Sequence, residues 1–149
     1  MAQGLDIFDQ LKKSFDIKDV DIRTYSPLSL AFIGDAIYDL IIRSVVVAKG
    51  NTSNNRLHNE ATQFVSARAQ ARIVDKIMDD LSEEELMIFR RGKNAKPSST
   101  AKNASPAEYH KATGFEALLG YLYLKGEFER VSELTRKGME ITERNDKDE

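Results

Sequence analysis

The strongest constraint on the fold is an apolar run at residues 30–47, "LAFIGDAIYDLIIRSVVV", which is long enough to form one buried helix. Ser26 and Pro27 precede it, and this pair starts a helix because serine caps the free backbone N–H groups and proline suits the first helical position. Lys49 and Gly50 follow it, and glycine after a basic last turn is a common helix stop. The sequence therefore predicts a helix of about twenty residues with most of its surface buried.

Serine and glutamate pairs mark two further helix starts, at Ser82 with Glu85 and at Ser105 with Glu108. Each pair has the spacing of a capping box. Apolar residues at three- and four-residue spacing predict one long amphipathic helix in the middle of the chain. The predicted helices cover residues 5–15, 26–49, 54–78, 105–125 and 127–142, and a further helix starts at Ser82 and carries Arg90 and Arg91. No alternating strand pattern occurs, so we predict an all-α fold in one domain over residues 1–149, with a polar tail at about residues 143–149.

Composition narrows the class of protein. A chain of 149 residues with 41% hydrophobic residues can bury a core as one compact domain. The absence of cysteine excludes a disulfide framework and a thiolate metal site, which fits a reducing compartment. Asp35, Asp39 and Arg43 interrupt the only run long enough to suggest a membrane span, and the first residues are too charged for a signal peptide. We therefore expect a cytoplasmic protein with no membrane partner.

Positive charge is concentrated in one part of a chain whose net charge is −2. The segment "KNAKPSSTAKNASP" at residues 93–106 has no periodicity, and long loops of this kind are often functional. Its lysines, hydroxyls and amides can donate to phosphate oxygens, and basic residues flank it on both sides. The alternative is a solvated connector. The candidate phosphate-contacting residues are Arg90, Arg91, Lys93, Asn94, Lys96, Lys102 and Lys111.

Two acids lie in the most apolar predicted helices: Asp35, and Glu116 within "TGFEALLGYLYL". Neither has a lysine or arginine one helical turn away, and an ionised carboxylate taken out of water is costly unless it is paired. If the two helices pack together, the acids converge and a divalent cation would balance them. Oxygen ligands favour Mg²⁺ or Mn²⁺ over zinc. The alternative is that each acid is a surface or interface residue, and Asp39 remains open as a ligand, an outer-shell group or an exposed acid.

The same two segments resemble a known family. "LAFIGDAIYDL" resembles the signature helix of the ribonuclease III domain, written L-E-F-L-G-D-A, and "TGFEALLGYLYL" resembles its second acidic motif, D-x-x-E-A-x-x-G-A-x-Y-L. The two motifs occur in the family's order, about eighty residues apart. With "NNRLHNEATQFVSARAQARI" similar to the family's middle helix, the resemblance covers roughly residues 26–125. The chain's size is similar to that of the mini-ribonuclease III branch, which consists of the catalytic domain alone.

The resemblance implies a helical bundle of the ribonuclease III endonuclease-domain type. It also implies catalysis by Mg²⁺, with Mn²⁺ as a substitute, held by Asp35 and Glu116 to activate a water for attack on double-stranded RNA, leaving 5′ phosphates. Family members are homodimers built on the signature helix, and they read the A-form duplex through phosphates and 2′-hydroxyls. For the smaller branch, the implied substrate is precursor 23S ribosomal RNA, with a ribosomal protein on that substrate as a further expected partner.

The chain departs from the family motifs at two positions. Ala31 stands where the signature has glutamate, and Thr113 stands where the second motif has aspartate. These losses predict weaker metal anchoring with more water ligands, and they leave the number of metals per site open. The alternative function is a catalytically inactive RNA-binding module used in ribosome assembly, and a protein-interaction dimer is a third reading. Retention of both Asp35 and Glu116 favours the enzyme.

Overall fold

The all-α prediction is confirmed by a computed structural model, which describes residues 6–95 and 105–148, with side chains described to residue 140. All regular structure in these residues is helical. None of the described helices is long and apolar enough to cross a membrane. The helices are α1 (Ile7–Phe15), α2 (Pro27–Ala48), α3 (Asn54–Val65), α4 (Ala67–Ile77), α5 (Glu83–Lys93), α6 (Pro106–Leu124) and α7 (Phe128–Asp148), with short 3-10 turns at Ile22–Thr24 and Met78–Asp80.

Local sequence signals set most of these boundaries. Ser82 and Ser105 both form complete capping boxes, in which the serine accepts a backbone hydrogen bond and the glutamate three residues later returns one. Gly50 and Gly126 follow α2 and α6 with φ angles of 131° and 85°, which favour glycine over residues with a side chain. The helix ends expected from capping and glycine are therefore confirmed.

Two of the predicted boundaries are wrong. The long helix at residues 54–78 is broken at Ser66, whose backbone is extended and whose hydroxyl accepts a hydrogen bond from the N–H of Ala69. Ser66 thereby ends α3 and caps α4, a role that the continuous apolar spacing around it conceals. The second correction concerns the last helix, which was predicted to end at residue 142, since α7 continues to Asp148. This segment contains good helix formers, which extend a helix without needing a buried face.

Helix α6 is the centre of the bundle, and α2, α4, α5 and α7 pack around it. From residue 112 to residue 123 every residue is buried except Glu116, which is half-buried. This distribution means that α6 has almost no solvent-facing side. The exception at Glu116 marks the place where the central helix meets the surface.

A pair of glycines brings α2 and α6 into backbone contact. A methyl group on Gly34 would lie 1.7 Å from the carbonyl oxygen of Glu116, and one on Gly120 would lie 1.9 Å from the carbonyl oxygen of Leu30. Leu30 therefore faces Gly120 while Gly34 faces Glu116, so the two helices run antiparallel at this crossing. Because Asp35 directly follows Gly34, the same contact places Asp35 beside Glu116.

Replacing Gly34 with alanine tests this crossing. The added methyl group meets backbone atoms that cannot rotate away, so we expect a loss of unfolding free energy at or above the upper end of the range of about 1–3 kcal/mol for an overpacked core. Urea denaturation followed by circular dichroism measures it. Ser44→Ala, at an exposed position of α2, is the control and should change stability by less than about 0.5 kcal/mol. A Gly34→Ala chain as stable as the parent would contradict the close approach.

Candidate active site

An open groove of about 840 Å³ lies beside the crossing of α2 and α6. Its charged lining consists of three acids, Asp35, Asp39 and Glu116. Apolar side chains, among them Leu28 and Phe32, form much of the remaining wall. No basic side chain lines this groove among the residues that the structure describes. The groove therefore carries negative charge without a protein cation inside it.

Asp35 and Glu116 meet in this groove, as the packing of the two apolar helices requires. Burial raises the pKa of Glu116 to about 9, and the adjacent Asp35 carboxyl adds to the rise through a hydrogen bond and its charge. A hydrogen bond from Gln70 acts on this pKa in the opposite direction. Asp35 is exposed, in agreement with the alternative that it is a surface acid. Glu116 alone bears the main desolvation cost.

The two carboxylates fit a hard divalent cation. Both supply oxygen atoms, they touch each other, and within the described residues no lysine or arginine lines the groove to neutralise them. The third acid, Asp39, forms an ion pair with Arg43, whose Nε lies 2.9 Å from its carboxylate, so its charge already has a partner. No cluster of three or more acidic, histidine or cysteine side chains suited to a metal occurs in the described part of the chain. A cation here would have two protein ligands and fill the rest with water, as Mg²⁺ commonly does.

The two positions that depart from the family motifs also line this groove. Ala31 and Thr113 are both buried next to the acidic pair. The Thr113 hydroxyl donates to the backbone carbonyl of Tyr109 at 3.0 Å, so its hydrogen is already used within α6. Neither residue supplies an anionic oxygen, so Asp35 and Glu116 remain the two acids of the groove that are not paired with a basic side chain.

The candidate phosphate-contacting residues lie in three places: the end of α5, the part of the chain outside the described residues, and, for Lys111, helix α6. Arg90, Arg91, Lys93 and Asn94 are exposed around the C-terminal end of α5, and among the described residues no acid forms an ion pair with their basic members. Lys96 and Lys102 lie outside the described residues. The cluster at the end of α5, residues 90–94, is therefore available to an external anion.

Lys111 belongs to a different environment. Its ammonium group forms an ion pair with Asp75 of α4 at 2.9 Å. Lys111 does not line the groove that contains Glu116. The structure thus holds this lysine against α4.

Two buried residues near Glu116, Tyr38 and Gln70, were not among the candidate site residues predicted from the sequence. The hydroxyl of Tyr38 donates to the carbonyl of Phe64 at 2.5 Å, and the amide of Gln70 donates to the carbonyl of Val65 at 3.1 Å. Both bonds satisfy carbonyl groups that the break at Ser66 leaves without helical partners. For Gln70 a signal existed, because a glutamine sits one turn before Val74 on the buried face of α4.

The raised pKa of Glu116 predicts how the stability of the metal-free chain depends on pH. Folded chains keep a proton on Glu116 at pH values where unfolded chains have lost it, since the ordinary pKa is 4.5 and the folded one about 9. Stability from this residue is thus present at low pH and declines as pH rises through that interval. Urea denaturation at several pH values, with a chelator present to keep the chain metal-free, measures this decline in the free energy of unfolding. Glu116→Gln should flatten it, whereas the exposed-acid control Asp79→Asn should not; an unchanged slope in Glu116→Gln would contradict the assignment.

Comparison with known proteins places this chain in a family. The family model of the ribonuclease III domain matches residues 28–127. The chain is 51% identical to a mini-ribonuclease 3 of Thermoanaerobacter sp. (strain X514) over 82% of this chain and 86% of that protein. It is 48% identical to a mini-ribonuclease 3 of Brevibacillus brevis over 79% of this chain and 88% of that protein. A crystal structure of a protein from Fusobacterium nucleatum superposes with a TM-score of 0.74 at 36% identity, covering 79% of this chain and 96% of that one. The chain therefore belongs to the ribonuclease III family, in its mini-ribonuclease III branch, and is an endoribonuclease of the ribonuclease III type.

Proposed function

We propose that this endoribonuclease cuts double-stranded RNA with the help of Mg²⁺, or of Mn²⁺ in its place, bound by Asp35 and Glu116. One observation carries the proposal: two carboxylates touch in an open groove whose described lining contains no basic side chain. The substrate, the double-stranded stalk of precursor 23S ribosomal RNA in the cytoplasm, and a ribosomal protein bound to it rest on the family resemblance alone.

The chemistry divides between the cation and the chain. When bound, the cation supplies Lewis acidity and an activated water for attack on a phosphodiester, leaving a 5′ phosphate. Asp35 and Glu116 hold it, and Glu116 must give up its proton when it does so. Asp35, and Glu116 once it has lost its proton, would repel RNA phosphate, and a cation held between them would reduce that repulsion.

Cations on the surface suit the RNA backbone. Arg90, Arg91 and Lys93 are exposed and unpaired within the described part of the chain, next to the exposed Asn94 amide. Such groups donate to phosphate oxygens whatever the base sequence. We place the duplex against this end of α5, with recognition through A-form shape rather than base edges.

An apolar stripe on α2 supports assembly as a homodimer. Leu28, Phe32, Ala36 and Leu40 are spaced four residues apart and exposed, with Phe32 at 83%. Exposed apolar side chains in a continuous stripe are typical of an interaction surface. A second copy would cover the stripe around a two-fold axis, and this symmetry matches the two antiparallel strands of a duplex.

A cleavage assay tests the proposed chemistry. The purified chain should cut duplex RNA with Mg²⁺ and not with a chelator, and Asp35→Asn should slow cutting by about a hundred-fold or more, because one of two charged ligands is lost. Gel analysis of labelled RNA measures the rate. Asp79→Asn, an exposed acid away from the groove lining, should cut normally. Binding without cutting would instead support an inactive module, and cutting in the chelator would exclude the metal.

The salt dependence of RNA binding tests the surface at the end of α5. Arg90→Ala combined with Arg91→Ala should weaken binding and lower the slope of log affinity against log salt by about one for each lost phosphate contact. Fluorescence anisotropy with duplex RNA in a chelator measures both. Lys13→Ala combined with Lys18→Ala removes the same charge from exposed positions at the N-terminal side and should keep the parent's slope. An unchanged slope in the arginine variant would contradict the role.

Sedimentation tests the proposed dimer. Phe32→Glu should yield a folded monomer, because a charge in the stripe would be buried unpaired in the dimer. Phe15→Glu changes another exposed phenylalanine, on α1 at 72% exposure, and should remain dimeric. Analytical ultracentrifugation of all three chains gives the masses. A monomeric parent, or a Phe32→Glu chain that still dimerises, would reject this interface.

A further inference from the structure

Gln70 is a polar residue buried among apolar side chains, and its burial calls for an explanation. Its side chain is on α4 and the residue is 3% exposed. Its Nε2 donates to the carbonyl of Val65, which fixes the amide orientation because a carbonyl oxygen can only accept. Its Oε1 is buried and has no partner among the described residues. A buried unsatisfied acceptor is unfavourable, so capping one carbonyl is a costly use of a glutamine.

The surroundings of Gln70 point to a second task. Val65, which accepts its hydrogen bond, lines the same groove as Glu116. The Gln70 side chain also lies near enough to Glu116 for its amide to lower the pKa of that carboxyl, which favours the charged carboxylate. An amide has two N–H bonds, which is enough for Val65 and Glu116 together. Gln70 thus connects the break between α3 and α4 to one of the two acids.

Few other groups can orient the Glu116 side chain. Its neighbour across the groove is Asp35, which is a carboxyl group and repels it when both are charged. Tyr38 lies nearby in the core, but its hydroxyl proton is used by the carbonyl of Phe64. Among these neighbours, Gln70 is the one with an N–H bond that Val65 leaves unused.

We infer that Gln70 is a positioning residue, which holds the Glu116 carboxylate through its amide N–H in the orientation that binds the cation. The inference rests on the proposed function, because it presumes a cation at Asp35 and Glu116. Partners of this kind matter because they fix the direction of ligand oxygens before the metal arrives. They matter more in this site, where Ala31 and Thr113 supply no carboxylate and two ligands must suffice.

The competing explanation is purely structural: Gln70 closes the end of α3 by bonding to Val65 and does nothing for Glu116. The two explanations differ in what they expect of metal binding. A structural role affects the stability of α4 and changes metal affinity only as far as α4 loosens. A positioning role changes metal affinity even when the fold is intact.

The experiment measures Mn²⁺ binding without RNA, by electron paramagnetic resonance of the free ion, so that the readout does not depend on catalysis. Gln70→Met keeps the length and approximate volume of the side chain and removes its donor. We expect it to bind Mn²⁺ about ten-fold more weakly than the parent. Gln70→Leu is a second donor-free variant with the same expectation, in case the methionine chain does not fold. Asp35→Asn serves as the reference for loss of a ligand.

Val74→Ala is the matched control, because Val74 is fully buried one turn further along the same face of α4. It should lower the thermal unfolding temperature and leave Mn²⁺ affinity at the parent's value. A Gln70 variant that binds Mn²⁺ like the parent would overturn the inference and leave the Asp35 and Glu116 proposal standing. Equal weakening by Val74→Ala would overturn it too, since loosening of α4 would then be sufficient. A parent chain whose Mn²⁺ binding is absent, or is insensitive to Asp35→Asn, would overturn the proposed function and this inference with it.

Discussion

The backbone contact between α2 and α6 is the constraint on which the rest of the structure depends. Glycine at both crossing points removes the side chains that normally separate two helices, and Gly34 lies against the carbonyl of Glu116 as a result. At ordinary interaxial spacing, about 8–10 Å, the side chains at the contact set the distance between the helices. Here the chain gives up two side chains so that the residues next to them, Asp35 and Glu116, can share one small volume.

That arrangement leaves the two acids without a positive charge beside them. Glu116 is half-buried against Asp35, and the groove lining in the described residues contains no cation. The pKa of Glu116 rises because protonation is one way to relieve the conflict, and a bound divalent ion is the other. The folded chain therefore retains an unfavourable interaction between Asp35 and Glu116, and the apolar packing around α6 keeps the two residues in place.

How much of this could be predicted from sequence depends on whether the signal was local. Helix starts at Ser82 and Ser105 and stops at Gly50 and Gly126 were predictable because a cap involves neighbours within a few residues. The meeting of Asp35 and Glu116 was predictable because two very apolar helices have little choice except to pack together.

Features that depend on distant contacts were not predictable in the same way. The apolar spacing continues through Ser66, and the break there is stabilised by Tyr38 from another helix as well as by Gln70. Asp35 is exposed because its side of the crossing between α2 and α6 remains open. The apolar spacing of the sequence does not show which side of a crossing stays open. The pairing of Lys111 with Asp75 likewise depends on α4 lying beside α6. The roles proposed for Asp35 and Glu116 in RNA cleavage are predicted from the chemistry of their side chains.

The apolar stripe on α2 and the acidic pair are two parts of one wall, since Leu28, Phe32 and Ala36 line the groove together with Asp35. In the proposed dimer this geometry couples quaternary structure to turnover. Diluting the enzyme below the dissociation constant of the dimer would uncover the wall beside the acids and admit bulk water there, so specific activity would depend on enzyme concentration. Substitutions that tune the stripe for tighter assembly would at the same time reshape the entrance through which the scissile strand reaches the acids.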